Sequence, residues 1–322
     1  MDNENKVTIN WYPGHMEKAR RQMEEQLKLV DIIIEIRDAR MPLASGNPLL
    51  DEMASNKERL IILNKADKAD LKQNELWING FKNVILCDSL NEKNTKKVVD
   101  KVKLILKAKL DKARERGIRK KVLRAMVVGI PNVGKSTFIN NVVKKKVAKA
   151  ENRPGVTKNL QWIRINEDVE LLDTPGVLWP KIEDQNQAMI LALLGSMNDK
   201  ILNEESLVYF GLNYIKDNYP GLLNKRYGVD ENSADLINEI GLKKMWLTSD
   251  GDVDRHKAYS LLLKDIRENN IGRITFEKYE SIEWVWELVS WYRWFSNGNR
   301  WSWQGSFVWA SCCGRLCFSC WL

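Results

Sequence analysis

Short apolar runs alternate with longer amphipathic stretches along the first half of the chain. Residues 30–36 (VDIIIEI), 59–64 (RLIILN), 83–88 (NVILCD) and 124–129 (RAMVVG) are bounded by polar or turn-forming positions. Runs this short and this apolar predict parallel strands covered on both faces. Residues 160–166 and 169–173 alternate or run apolar and predict a hairpin pair. Between the runs, residues 14–29 and 95–116 follow a helical period, the second as one long basic helix. Strands alternating with helices predict an α/β fold.

After Pro180 the period changes. Residues 184–202, 204–218, 233–241 and 254–270 are all helical by spacing, and no strand-like run competes with them. The chain therefore divides into an α/β domain over 1–180, a small all-α domain over 181–280, and a remainder over 281–322. In that remainder no period holds. It carries eight of the thirteen tryptophans and four of the five cysteines, with no Lys and no Asp.

Composition adds little to the fold but narrows the setting. The 322 residues are 44% hydrophobic and 29% charged, ordinary for a soluble protein. No run of 18 apolar residues is present, and the N-terminal MDNENKVTINWYPGHM lacks the apolar core of a secretory signal. These features predict a cytoplasmic protein without a membrane span. Cys87 stands alone in the body, so no disulfide framework is expected. The net charge is +8. Eleven Lys or Arg against two acids, Asp111 and Glu115, crowd Lys101–Arg124. A polyanionic partner or a solvated basic face both fit that density.

Candidate chemistry begins at Gly129-Ile-Pro-Asn-Val-Gly-Lys-Ser136, which fits G-x-x-x-x-G-K-[ST] between a strand and a helix. A glycine-rich turn points consecutive N–H groups at phosphate, and the helix N-terminus adds positive potential. Asn132, Val133, Gly134, Lys135, Ser136 and Thr137 are the expected contacts. Lys135 reaches the β- and γ-phosphates, and the Ser136 hydroxyl ligates Mg²⁺. Asp173-Thr-Pro-Gly176 follows an apolar strand. Asp173 there can hold the Mg²⁺ water shell, and the Gly176 N–H can meet the γ-phosphate, although a plain turn uses the same residues.

Asn64-Lys-Ala-Asp67 ends the second apolar run. The Asp67 carboxylate can accept from guanine N1–H and its 2-amino group, a donor pair adenine lacks. Asn64 can contact the base edge or brace the phosphate loop, and the Lys65 stem can cover the base. Thr157, in Arg153-Pro-Gly-Val-Thr157, can complete the Mg²⁺ shell as an order–disorder switch. Ser89 can offer its N–H to the guanine oxygen. A Ras-like GTPase runs phosphate loop, switch threonine, DxxG and then NKxD. Here the base motif precedes the phosphate motif, so the domain is predicted to be a circularly permuted P-loop GTPase domain. It should have a mostly parallel sheet and helices on both faces. All these loops would still meet at one end of the sheet.

Trp11-Tyr-Pro-Gly-His-Met-Glu-Lys-Ala-Arg20, Asp38-Ala-Arg-Met-Pro42, NKAD, GIPNVGKS, RPGVT and Asp173-Thr-Pro-Gly-Val-Leu-Trp-Pro180 together resemble the ribosome biogenesis GTPase A family. Tyr219-Pro220, Lys225-Arg-Tyr-Gly228 and Ile271-Gly-Arg-Ile274 extend the resemblance to about residue 280. The resemblance implies binding of GTP and GDP, and GTP hydrolysis in late assembly of the bacterial large ribosomal subunit, stimulated by that subunit and by K⁺. It also implies contact of rRNA with the basic segment 101–124 and the helical domain. Asn132 matches the asparagine associated with K⁺. Val177 occupies the place where many GTPases carry a water-orienting Gln, and His15 is the family's candidate for that work. The alternative reading is a nucleotide-gated RNA-binding scaffold with negligible hydrolysis.

The remainder, 281–322, reads as aberrant. Cys312-Cys313-x-x-x-Cys317-x-x-Cys320 is cramped for a zinc site and lacks a second knuckle. Back-translated and shifted by one base, Arg300–Trp321 permits a run resembling the opening of a type II ribonuclease H. The expectation is out-of-frame translation that adds no function. His256, the only other histidine, is expected to be structural.

Overall fold

A computed structural model describes residues 9–10, 14–88, 94–118, 121–143, 161–179, 181–182, 184–197 and 203–279. The described residues fall within Met1–Tyr279, one compact unit. The tail and its cysteines, Ser89 and Thr157 lie outside the described residues.

The apolar runs form the strands they predict. Their order in the main sheet is β4 (Val84–Leu86), β3 (Glu58–Asn64), β2 (Ile32–Asp38), β5 (Leu123–Val128), β7 (Val169–Asp173) and β6 (Gln161–Arg164). The first five run parallel, and β6 pairs antiparallel to β7. All seven residues of β2 are buried, which is why this strand shows no alternation. The helices α1 (Gly14–Leu27), α3 (Leu71–Gly80), α4 (Asn94–Ile105) and α6 (Lys135–Val143) bury apolar stripes. Met23, Leu27, Trp77, Val98, Val102, Phe138 and Ile139 are among the residues they contribute to the core. A short helix, α2 (Leu49–Met53), follows the loop after β2.

Expectations about elements fail in three places, the last at the end of the first helix after Pro180. The long basic helix breaks at Leu106 into α4 and α5 (Lys107–Glu115). Leu106 is buried, and the break lets both halves turn apolar positions inward. Beyond Pro180 a strand does occur. β8 (Lys181–Ile182) pairs antiparallel with β1 (Ile9–Asn10), too short for any sequence period to show.

The helical part comprises α7 (Gln185–Leu193), α8 (Glu204–Asn218), α9 (Leu222–Tyr227), α10 (Leu236–Lys243) and α11 (Arg255–Glu268). Asp184, Asn203, Asp235 and Asp254 cap α7, α8, α10 and α11 by accepting from backbone N–H groups. The helix predicted through 202 stops at Gly195, whose φ of 74° favours glycine. Leu207, Leu212, Leu262 and Ile266 bury the faces by which α8 and α11 pack. Among the described residues no helix is long and apolar enough to cross a membrane.

Candidate nucleotide site

Sheet register brings the sequence motifs to one edge. Asp38 is paired with Asn64 across β2 and β3, and Val127 with Asp173 across β5 and β7. The phosphate loop follows β5 directly. The base motif, phosphate loop and DTPG segment therefore leave neighbouring parallel strands at their carboxyl ends, where such sheets bind ligands.

The base loop and the phosphate loop are bonded to each other. Asn64 Nδ2 donates to the Val133 carbonyl at 2.7 Å, and Lys65 Nζ donates to the Asn132 carbonyl at 2.6 Å. Of the two roles open to Asn64, this bond is the bracing contact. Gly134, at φ 91°, passes so close beneath Asn64 Nδ2 that a Cβ would collide with it. Asp67 is half-buried, and no described residue donates to its carboxylate.

Lys65 also donates to Asp38 Oδ2 at 2.9 Å, and Arg40 grips both oxygens of the same carboxylate at 3.1 and 2.9 Å. Asp38 is fully buried. Burial alone would raise its pKa, but the charges of Arg40 and Lys65 outweigh it and hold the carboxyl well below the usual range. Lys65 is depressed by burial, and Asp38 restores only part of that.

Lys135 is the first residue of α6 and is 8% exposed. Its ammonium donates to the Gly129 carbonyl at 3.1 Å, folding back over its own loop. Burial lowers its pKa to about 8 despite the attraction of Asp173. Burial likewise pushes Asp173 up to about 6, against Lys135 and the Thr174 N–H. Asp173 Oδ1 is buried without a hydrogen-bond partner. A buried orphan carboxylate oxygen beside a phosphate loop is the donor expected where a hydrated divalent cation belongs. This fits Mg²⁺ held between Asp173 and the Ser136 hydroxyl. Gly176 lies against the same place. A Cβ on it would stand 2.9 Å from Lys135 Nζ and 3.0 Å from Pro131 N, so a larger residue would displace the lysine and press on the phosphate loop.

The helical part reaches the phosphate loop through Asn132. This residue has φ 62°, and its Nδ2 donates to the Gly195 carbonyl at the end of α7. Arg267 of α11 donates to the Ala192 and Leu193 carbonyls at 2.9 Å each, and Arg40 donates to the Arg267 carbonyl at 3.0 Å. Sequence reasoning singled out none of Arg40, Gly195 and Arg267 as contributors. Asp38 and Arg40 were visible only as part of a resembling motif, and Arg267 only as a basic helix position.

Other candidates are placed less fully. His15 is the second residue of α1, and its side chain lies outside the described residues. His256 is exposed on α11 beside Tyr259. Val177 is 2% exposed and brings no polar group to the site.

A family model described as a 50S ribosome-binding GTPase matches residues 124–243. The ribosome biogenesis GTPase A of Bacillus pumilus is 42% identical over 282 residues, covering 85% of this chain and 100% of its own. The GNP-bound structure of YlqF from T. maritima superimposes with a TM-score of 0.60 at 27% identity, covering 82% of this chain and 99% of that one. The GDP-bound structure of the same protein gives 0.60 and 27%, covering 81% and 100%.

Proposed function

Because the chain belongs to the ribosome biogenesis GTPase A family, we propose that it hydrolyses GTP to GDP and phosphate during late assembly of the large ribosomal subunit. The observation that carries this reading is the meeting of NKAD, the phosphate loop and DTPG at one sheet edge. That role places the protein in the cytoplasm, with rRNA as its polyanionic partner.

Asp67 accepts from the guanine edge and selects GTP over ATP. Asn64 and Lys65 lock this loop to the phosphate loop, so base and phosphates are read by one rigid unit. Lys135 exchanges its bond to the Gly129 carbonyl for the β- and γ-phosphates. Val133, Gly134, Ser136 and Thr137 surround the phosphates with N–H groups. Mg²⁺, when bound, neutralises phosphate charge that Lys135 alone would leave exposed. Thr157 closes the site when γ-phosphate is present, and Ser89 meets the guanine oxygen. The Gly176 N–H faces the γ-phosphate.

With the Asn132 amide nitrogen given to Gly195, its amide oxygen would be the group to hold K⁺, which when bound would supply positive charge beside the phosphates. His15 orients the attacking water in place of a side chain at 177. The second reading, a nucleotide-gated RNA-binding scaffold, draws on the buried apolar Val177. GTP turnover with and without large subunits, in K⁺ or Na⁺ as sole monovalent cation, separates the two. Stimulated turnover supports hydrolysis as the function. Turnover that stays negligible in all four conditions leaves the scaffold.

A further inference from the structure

The segment Asp173–Val177 is fastened by a hydrogen bond near each end. At its start the Thr174 hydroxyl donates to the Val127 carbonyl at 2.7 Å. At its end the Val177 carbonyl accepts from Asn47 Nδ2 at 2.8 Å. Between these bonds lie Pro175 and Gly176, the latter against Lys135.

Asn47 is not a surface residue that happens to reach across. It is 4% exposed and belongs to the loop after β2, held in place by its own bonds. Its Oδ1 accepts from the Leu49 N–H at 3.0 Å, and its backbone N–H donates to Glu35 Oε1 at 3.2 Å. Glu35 is fully buried in β2 and held by Arg37 at 2.9 Å and Arg59 at 3.3 Å. A buried amide with its donor spent on one carbonyl 130 residues away costs free energy unless that bond is kept.

We propose that Asn47 is a positioning residue for hydrolysis. It fixes the Val177 carbonyl, one residue past Gly176, so that the Gly176 N–H stays aimed at the γ-phosphate. The side chain of Val177 cannot supply that order, and Asn47 supplies it through the backbone. The inference rests on the GTPase reading above. It also carries a signature that simple loss of stability lacks. GDP has no γ-phosphate, so GDP affinity is indifferent to where Gly176 points.

The test uses the full chain with Asn47→Ala. Asn47→Leu fills the same volume without a donor and serves where the alanine cavity lowers the melting temperature too far. Turnover number and KM for GTP are measured, with affinities for GDP and a non-hydrolysable GTP analogue. We expect turnover to fall about tenfold, the size of one missing buried hydrogen bond. The preference for the GTP analogue over GDP should fall with it, and GDP affinity should stay within about twofold. Unchanged turnover, or equal losses of GDP and analogue affinity, would overturn the role of Asn47. Absence of turnover in the unaltered chain with large subunits and K⁺ present would instead sink the GTPase reading, and the affinity ratio alone would then decide for or against Asn47.

Discussion

Asn64 donates its side-chain amide to the carbonyl of Val133 at 2.7 Å, so the NKAD loop holds the glycine-rich loop after β5. Replacing Asn64 with Ala leaves a buried carbonyl unpaired and frees the phosphate loop. The expected loss is roughly 1–3 kcal/mol of affinity, shared by GTP and GDP. Gly134→Ala should do at least as much harm, because its φ of 91° and the amide above it both exclude a Cβ. Equilibrium binding of both nucleotides checks this, and a loss confined to GTP would contradict it.

Base selection is expected to rest on Asp67. Asp67→Asn exchanges an acceptor for a donor facing guanine N1–H. GTP affinity should drop by roughly 1–3 kcal/mol, and xanthine nucleotide should gain. Competition among GTP, ATP and XTP measures it. Equal binding of ATP and GTP by the unaltered chain would defeat the assignment.

These interactions divide into those the sequence announces and those it does not. Strands β2, β3, β5 and β7 are legible because burial on both faces leaves continuous apolar runs. The phosphate loop and NKAD are legible because their chemistry demands fixed spacing. Asn47, Gly195 and Arg267 are not, since each acts on a partner distant in sequence and only packing brings them together. The break at Leu106 is hidden because both halves keep a helical period, and the β1–β8 pair because two residues carry no period.

Lys135→Ala should cut nucleotide affinity by roughly 1–3 kcal/mol and turnover further, as a charge-assisted bond to phosphate disappears. Ser136→Ala should weaken binding mainly in the presence of Mg²⁺. Titrations with and without Mg²⁺ distinguish the two. Hydrolysis at the parent rate by either variant would show that the site is misassigned.

Glu277 supplies a pH dependence. Its carboxylate accepts from the Leu43 and Ala44 N–H groups at 2.6 and 2.7 Å, clamping the loop after β2. Burial pushes its pKa up to about 7, against those two N–H groups and Arg37. An acid raised above its ordinary 4.5 stabilises the fold fully below that value and loses the contribution as pH rises through 7. The nucleotide-free chain should therefore lose stability across this window, and Glu277→Gln should lose less. Thermal melts of both proteins over the pH series test it, and parallel curves would remove Glu277 as the cause.

The basic segment 101–124 separates into two sets once folded. Lys103 pairs with Asp168 at 2.6 Å, Lys109 and Lys121 with Asp31 at 2.5 and 3.6 Å, and Arg114 with Asp111 at 3.4 Å. Arg124 pairs with Glu170 at 3.6 Å and covers the Trp162 ring. Lys107, Lys112 and Arg116 are exposed on or beside α5, with no acid partner among the described residues. Arg119 and Lys120 lie outside the described residues. An rRNA phosphate that meets a free cation releases counterions without first breaking an ion pair, so the unpaired set should dominate the salt dependence. Replacing Lys107, Lys112 and Arg116 with Ala should flatten the salt slope of large-subunit binding by about one unit for each phosphate-binding cation removed. Replacing Lys103 and Lys109 should change it less, and exposed pairs of this kind are worth only about 0–1 kcal/mol of stability. Co-sedimentation with large subunits over a salt series, in GDP and in a non-hydrolysable GTP analogue, measures both effects. Equal slopes for the two sets would mean that pairing within the fold does not decide which cations meet RNA. A slope near zero in the unaltered chain would remove this segment from the ribosomal interface altogether.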